Sequence, residues 1–162
     1  MTLKVGDKLP SATFVKLNDD RPEAVSAASV FEGRSVVLFG LPGAYTGTCT
    51  TAHVPSFIRT IGDFRAKGVD AVICMSVNDP FVMDAWGKET GATEAGIEML
   101  GDAEAEFTKA IGMEFSAPPA GLINRSKRFA LYAVDGVVKV LHLEENPGVC
   151  DVSGGESMLA EI

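Results

Sequence analysis

Cys49 stands in Pro42-Gly43-Ala44-Tyr45-Thr46-Gly47-Thr48-Cys49-Thr50, between an apolar run, Val36-Val37-Leu38-Phe39, and a stretch with helical periodicity. That order puts the thiol in the first turn of a helix leaving a buried strand. Unpaired backbone N–H groups and the helix dipole at such a start favour negative charge, and so the thiolate, the nucleophilic form of cysteine. The hydroxyls of Thr46 and Thr48 and the backbone of Gly47 add hydrogen-bond donors around the sulfur. Farther along, Arg125-Ser126-Lys127-Arg128 opens another strand. Taken alone it reads as a solvated basic patch; folded against Cys49, one of its cations would stabilise charge at the sulfur. His53 lies four residues after Cys49, on one helical face with it. A cysteine–histidine hydrolytic pair also needs an orienting third group and an acyl pocket, and neither is suggested. Zinc is disfavoured too, because no second pair with ligand spacing accompanies Cys49 and His53. A phosphate loop over 43–50 fails for lack of its lysine.

The elements around these residues follow from periodicity and punctuation. Residues 1–34 read as irregular, with short strand character around Ala12–Leu17 and a turn at Asn18-Asp19-Asp20-Arg21-Pro22. A strand over 35–40 leads into the thiol loop. Val54, Phe57, Ile58, Ile61 and Phe64 then form one buried helical stripe ending at Gly68. Pro55 interrupts it and predicts a kink just beyond Cys49. Val69–Val77 reads as a buried strand, and Asn78 or Asp79 with Pro80 starts a helix whose apolar face is Phe81, Val82, Ala85 and Trp86. A strand near Glu98–Leu100 and a helix over Ala103–Ile111 follow. Asp135-Gly136 predicts a type I′ hairpin turn between strands 128–134 and 137–143. Ser153 to Ile162 reads as a closing helix. Spacing thus gives an α/β chain with a mixed central sheet flanked by helices.

At 162 residues without repeat or linker, the expectation is one domain over 1–162. Hydrophobic residues make up 46% and charged ones 22%, the composition of a globular protein. A net charge of −8 argues against nucleic-acid binding, which needs basic patches. No apolar run suffices for a membrane span, and no secretory signal is visible at the start, so the expected compartment is the cytoplasm. The three cysteines, 49, 74 and 150, are too sparse for a disulfide framework and read as free thiols in a reducing compartment. Cys74, inside Ala71-Val72-Ile73-Cys74-Met75, reads as a buried small hydrophobe. Cys150 falls in the turn-rich Asn146-Pro147-Gly148-Val149-Cys150-Asp151.

Pro42, Thr46 and Cys49 match the Pro-x-x-x-Thr-x-x-Cys motif of peroxiredoxins. The wider string PGAYTGTCT with His53 and Pro55, the Cys74–Val77 strand followed by Asn78-Asp79-Pro80-Phe81-Val82-Met83, and the segment Arg125–Phe129 extend the match over nearly the whole chain. The sequence resembles the subgroup holding the plant type II and animal atypical two-cysteine enzymes. Gly47 departs from it, standing where the family often has proline, which loosens the loop before the thiol.

The resemblance implies a thioredoxin-like fold and a thiol peroxidase, an antioxidant oxidoreductase of cell redox homeostasis. It would reduce hydrogen peroxide and small alkyl hydroperoxides through a sulfenic acid on Cys49, with no cofactor. It also implies that the Thr46 hydroxyl bonds the thiolate and the peroxide oxygens, and that Pro42 shields the site. Arg128, rather than Arg125, becomes the active-site arginine, and His53 a helix-packing residue behind the thiol. The sulfenic acid would be resolved by glutathione with glutaredoxin, or by Cys150 followed by thioredoxin; homodimers are common in the subgroup. A peroxide-sensing interaction protein using the same thiol is the alternative, and a general thiol–disulfide oxidoreductase a third reading.

Overall fold

The central strand of the fold is apolar on both of its faces, and that sets the architecture. In β3 (Ser35–Leu41) every residue from Val36 to Leu41 is buried. Alternate side chains of a strand point to opposite faces. Val36 and Leu38 accordingly join one hydrophobic cluster, and Val37, Phe39 and Leu41 join the other. A strand buried on both sides needs helices on both sides. The structure, a computed structural model, describes residues 2–162.

β3 pairs in parallel with β4 (Ala71–Ser76), and β4 in parallel with β5 (Glu98–Gly101). On its other edge β3 pairs antiparallel with β8 (Phe129–Val134), which pairs with β9 (Val137–Leu143). A hairpin of β1 (Thr13–Asn18) and β2 (Arg21–Ser26) extends the far side, giving a seven-stranded mixed sheet in the order β2-β1-β5-β4-β3-β8-β9. Gly40 faces Phe129 across the β3–β8 pair, and a Cβ there would run into the phenyl ring.

Helices α1 (Ala27–Phe31) and α5 (Glu106–Ala110) contribute to the first cluster, around Phe14, Phe31 and Phe107. Helices α2 (Val54–Ala66), α3 (Pro80–Thr90), α4 (Ala92–Ala95) and α6 (Gly155–Leu159) contribute to the second, around Phe39, Phe57, Phe64 and Trp86. The expected α/β class with a mixed, helix-flanked sheet is the one found.

Several local expectations are corrected. The first 34 residues are more regular than expected, holding β1, β2 and α1. The buried residues of α3 are Pro80, Met83, Trp86 and Gly87, whereas Phe81 and Ala85 are exposed. The i, i+3 spacing that runs from Pro80 through Met83 to Trp86, not the hydrophobicity of Phe81, decides which face meets the core. The 103–111 and 153–162 helices shrink to α5 and α6. A further hairpin, β6 (Glu114–Ala117) and β7 (Leu122–Ser126), closes through a 3-10 turn at Pro118–Ala120 and forms a small separate sheet.

The predicted kink takes a specific form. Cys49–His53 is a π-helical turn running directly into α2, with Pro55 in the first turn of that helix. Pro55 has no N–H to donate, and the Val54 N–H reaches five residues back to the Cys49 carbonyl.

Candidate active site

Cys49 and His53 lie at the two ends of the π turn, both fully buried. Arg128, just before β8 and 1% exposed, joins them. Its Nη2 donates to Cys49 Sγ at 3.1 Å, its Nη1 to His53 Nδ1 at 2.9 Å, and its Nε to the Pro147 carbonyl at 3.0 Å. Guanidinium has donors only and stays charged, so His53 Nδ1 must be the acceptor. The ring proton therefore sits on Nε2, 2.9 Å from the Ser153 carbonyl it donates to. Burial, reinforced by the Arg128 charge, lowers the His53 pKa to about 3. The imidazole is neutral and acts as a fixed acceptor, wedged against Phe39 and Phe57. Besides packing behind the thiol, His53 bonds the same arginine that bonds the sulfur.

Above the thiol, Thr46 donates its hydroxyl proton to the Gly43 carbonyl at 2.7 Å. No Thr46–Cys49 hydrogen bond forms, in contrast to the expectation from resemblance. The bond to Gly43 leaves the Thr46 oxygen as an acceptor facing any O–H that enters. Pro42 closes the loop, its carbonyl taking a 3.0 Å bond from Arg125 Nη1. Arg125 thus braces the loop from β7, while Arg128 touches the sulfur. A Cβ on Gly43 would collide with the Arg125 guanidinium, so glycine is needed for that approach.

A cavity of about 450 Å³ opens over these groups, lined by Pro42, Thr46 and Arg128 on one side and by Phe115, Ala117 and Leu122 on the other. Arg128, a lining residue, is the one whose guanidinium bonds Sγ. The β6–β7 hairpin, which periodicity does not reveal, supplies the apolar wall.

Two further positioning residues escape sequence reasoning. Asn78, read only as a helix cap, accepts from Ala44 N at 3.0 Å and from Ser76 Oγ at 2.6 Å, tying the thiol loop to the end of β4. Asp79 is the cap of α3. Trp86, read as apolar face, donates its indole N–H to Thr50 Oγ1 at 3.1 Å and so anchors the π turn. The only sequence signal was the polar handle that both side chains carry.

The other cysteines are placed differently. Cys74 is fully buried in β4, and burial, with Cys49 nearby, pushes its pKa well up. Cys150 is half-buried, its Sγ 3.8 Å from Ser153 Oγ. Burial raises the Cys150 pKa. It lines a separate hollow with Thr51, Ala52 and Ser56. Among the described residues no cluster of three metal-ligating side chains occurs, and no helix is long and apolar enough to cross a membrane.

A thioredoxin-like α/β fold with a buried cysteine at a helix start, held by an arginine beneath an open cavity, defines a thiol-based redox protein. Residues 4–159 match the family model described as Redoxin. Peroxiredoxin-2E-2, chloroplastic, of Oryza sativa subsp. japonica is 48% identical over 165 aligned residues, covering 99% of this chain and 73% of that protein. Peroxiredoxin-2D of Arabidopsis thaliana is 41% identical over 161 residues, covering 99% and 98%. The crystal structure of reduced Prx3 from Vibrio vulnificus in complex with hydrogen peroxide superposes with a TM-score of 0.91 at 40% identity, covering 98% of each chain. The chain belongs to the peroxiredoxin family of thiol-dependent peroxidases, with type II enzymes of plants among its relatives.

Proposed function

We propose that Cys49 is the thiol that attacks the peroxide, with Pro42, Thr46 and Arg128 forming the site and His53 positioning Arg128. The observation that carries this reading is Arg128, which lines the cavity and whose guanidinium bonds Cys49 Sγ. The thiolate attacks the terminal O–O bond: an S–O bond forms, the O–O bond breaks, and the leaving alkoxide or hydroxide takes up a proton. The products are Cys49 sulfenic acid and an alcohol or water. Arg128 stabilises charge as it passes from sulfur to the leaving oxygen, and the Thr46 oxygen accepts the peroxide O–H.

Hydrogen peroxide and small alkyl hydroperoxides are the proposed substrates; Phe115, Ala117 and Leu122 offer an apolar wall for an alkyl group. The chain works as one domain over 1–162, needs no cofactor, and pairs as a homodimer. The cytoplasm is the proposed compartment; the relatives include proteins named as chloroplastic and mitochondrial.

An external thiol, glutathione with glutaredoxin, resolves the sulfenic acid in this reading. Cys150 followed by thioredoxin is the other route. The first is favoured because Cys150 faces its own hollow, and its loop is tied down by Arg128 and Thr48. Cys49→Ser should abolish peroxide turnover while leaving the fold intact. Turnover by substoichiometric wild type separates a peroxidase from a sensor, and appreciable activity in the variant would refute the assignment.

A further inference from the structure

One carboxylate holds the loop that closes the thiol site from behind. Glu144 follows β9 directly and is buried, and its Oε2 accepts four hydrogen bonds from the 151–153 segment. They come from Asp151 N at 2.9 Å, Val152 N at 2.9 Å, Ser153 N at 2.7 Å and Ser153 Oγ at 2.6 Å. Three successive backbone N–H groups converging on one oxygen make an anion-binding nest, filled here by a side chain of the same chain. Its desolvation raises the Glu144 pKa, but the four donors outweigh that and leave it below the usual glutamate value. The carboxylate is charged at neutral pH.

The loop between Glu144 and Ser153 does more than connect β9 to α6. Its carbonyls meet three groups of the thiol site: Pro147 O takes Arg128 Nε, Gly148 O takes Thr48 Oγ1 at 2.7 Å, and Ser153 O takes His53 Nε2. The last of these bonds fixes the imidazole tautomer that presents Nδ1 to Arg128. The Ser153 hydroxyl already donates to Glu144, so in its contact with Cys150 it must act as acceptor, which keeps the Cys150 thiol as the donor.

We propose that Glu144 is a positioning residue for peroxide reduction and at the same time the latch on the Cys150 loop. While Glu144 gathers residues 151–153, Arg128 and His53 stay aligned on Cys49 and the Cys150 thiol stays parked against Ser153. Release of the carboxylate frees all three carbonyl contacts together, misaligns the arginine and exposes Cys150. This inference rests on Cys49 being the peroxide-attacking thiol.

Glu144→Gln tests it, because the amide keeps the shape and removes the charge that four donors to one oxygen require. Two readouts are taken on the full chain: the rate of Cys49 oxidation by one equivalent of hydrogen peroxide, and iodoacetamide labelling of each cysteine followed by peptide mass. The expected result is Cys49 oxidation slowed about tenfold or more, with Cys150 labelled about tenfold faster and Cys74 still protected. A purely structural defect would open Cys74 along with Cys150. Wild-type Cys49 oxidation in the variant, unchanged Cys150 labelling, or an equal gain at Cys74 would each overturn the proposal. If Glu144→Gln does not fold, Ser153→Ala removes one of the four bonds and should shift both readouts in the same directions. If peroxide oxidises some other residue of the wild type, the reading of Cys49 fails, and the labelling of Cys150 against Cys74 still decides whether Glu144 is the latch.

Discussion

Arg128 directs its three donor nitrogens to three separate parts of the chain: the sulfur of the π turn, the imidazole one turn on, and the carbonyl of Pro147. Loss of the guanidinium therefore removes the cation at the sulfur and strands a buried imidazole acceptor at once. Arg128→Ala should slow peroxide reduction by a factor of at least about ten, measured by stopped flow, as expected for a contact to transition-state charge. Arg125→Ala, which removes only the brace on Pro42, should have the smaller effect; the reverse order would mean that Arg125 is the catalytic cation.

His53 gives the pH prediction. Unfolded, it takes a proton below its ordinary value of 6.5; folded, it does so only near about 3. Between those values the unfolded state binds the extra proton, so stability falls as pH drops from 6.5 toward 3. Going from about pH 7 to about pH 5.5 should cost the wild type roughly 1 kcal/mol more than His53→Gln, read from urea midpoints. Parallel losses in the two proteins would show that His53 does not carry the effect.

At the scale of elements, the site depends on how α6 docks on α2. A Cβ on Gly155 would come 2.5 Å from the Ser56 carbonyl oxygen and closer still to the Thr60 hydroxyl. Backbone cannot swing aside as a side chain can, so Gly155→Ala must push α6 outward. It should destabilise the fold by about 1–3 kcal/mol, the range for overpacking a tight contact, measured by denaturant unfolding. Because Gly155 N also donates to Ser56 Oγ, the same shift should loosen the Ser153 carbonyl that fixes His53. Unchanged stability would mean that the two helices tolerate a wider spacing.

For the whole molecule, the predictions concern resolution and assembly. Wild type treated with one equivalent of peroxide should gain one oxygen by mass, and Cys150→Ser should keep glutathione–glutaredoxin-supported turnover. A loss of two hydrogens with a Cys49–Cys150 bond, and loss of turnover in Cys150→Ser, would assign resolution to Cys150. Sedimentation should give a dimer; a monomer at working concentrations would remove the homodimer from the functional reading. Tyr45 and Phe81, both more than half exposed, are among the large apolar side chains available to such an interface.

The class of fold and a thiol at the start of a helix were legible in the sequence. Both are local signals: alternating or continuous apolar runs set strands, the Pro80 and Asp135-Gly136 punctuation set a helix start and a hairpin, and the run into Cys49 put a thiol at a helix N-terminus. The resemblance singles out Arg128, and the structure brings that arginine to the sulfur; tertiary structure alone decided what His53 bonds and how the 144–153 loop is held. They include pairs 75 to 100 positions apart, such as Arg128–His53 and His53–Ser153, and contacts within an irregular loop, such as Glu144–Ser153, for neither of which periodicity carries information. The β6–β7 hairpin was illegible for a related reason: its short strands, half-exposed and set apart from the main sheet, need no regular hydrophobic alternation. The π turn lies between these cases. Pro55 announced a broken ladder in the sequence, but the contacts that hold the turn, Trp86 on Thr50 and His53 against the stacked Phe39 and Phe57, appear only in the fold.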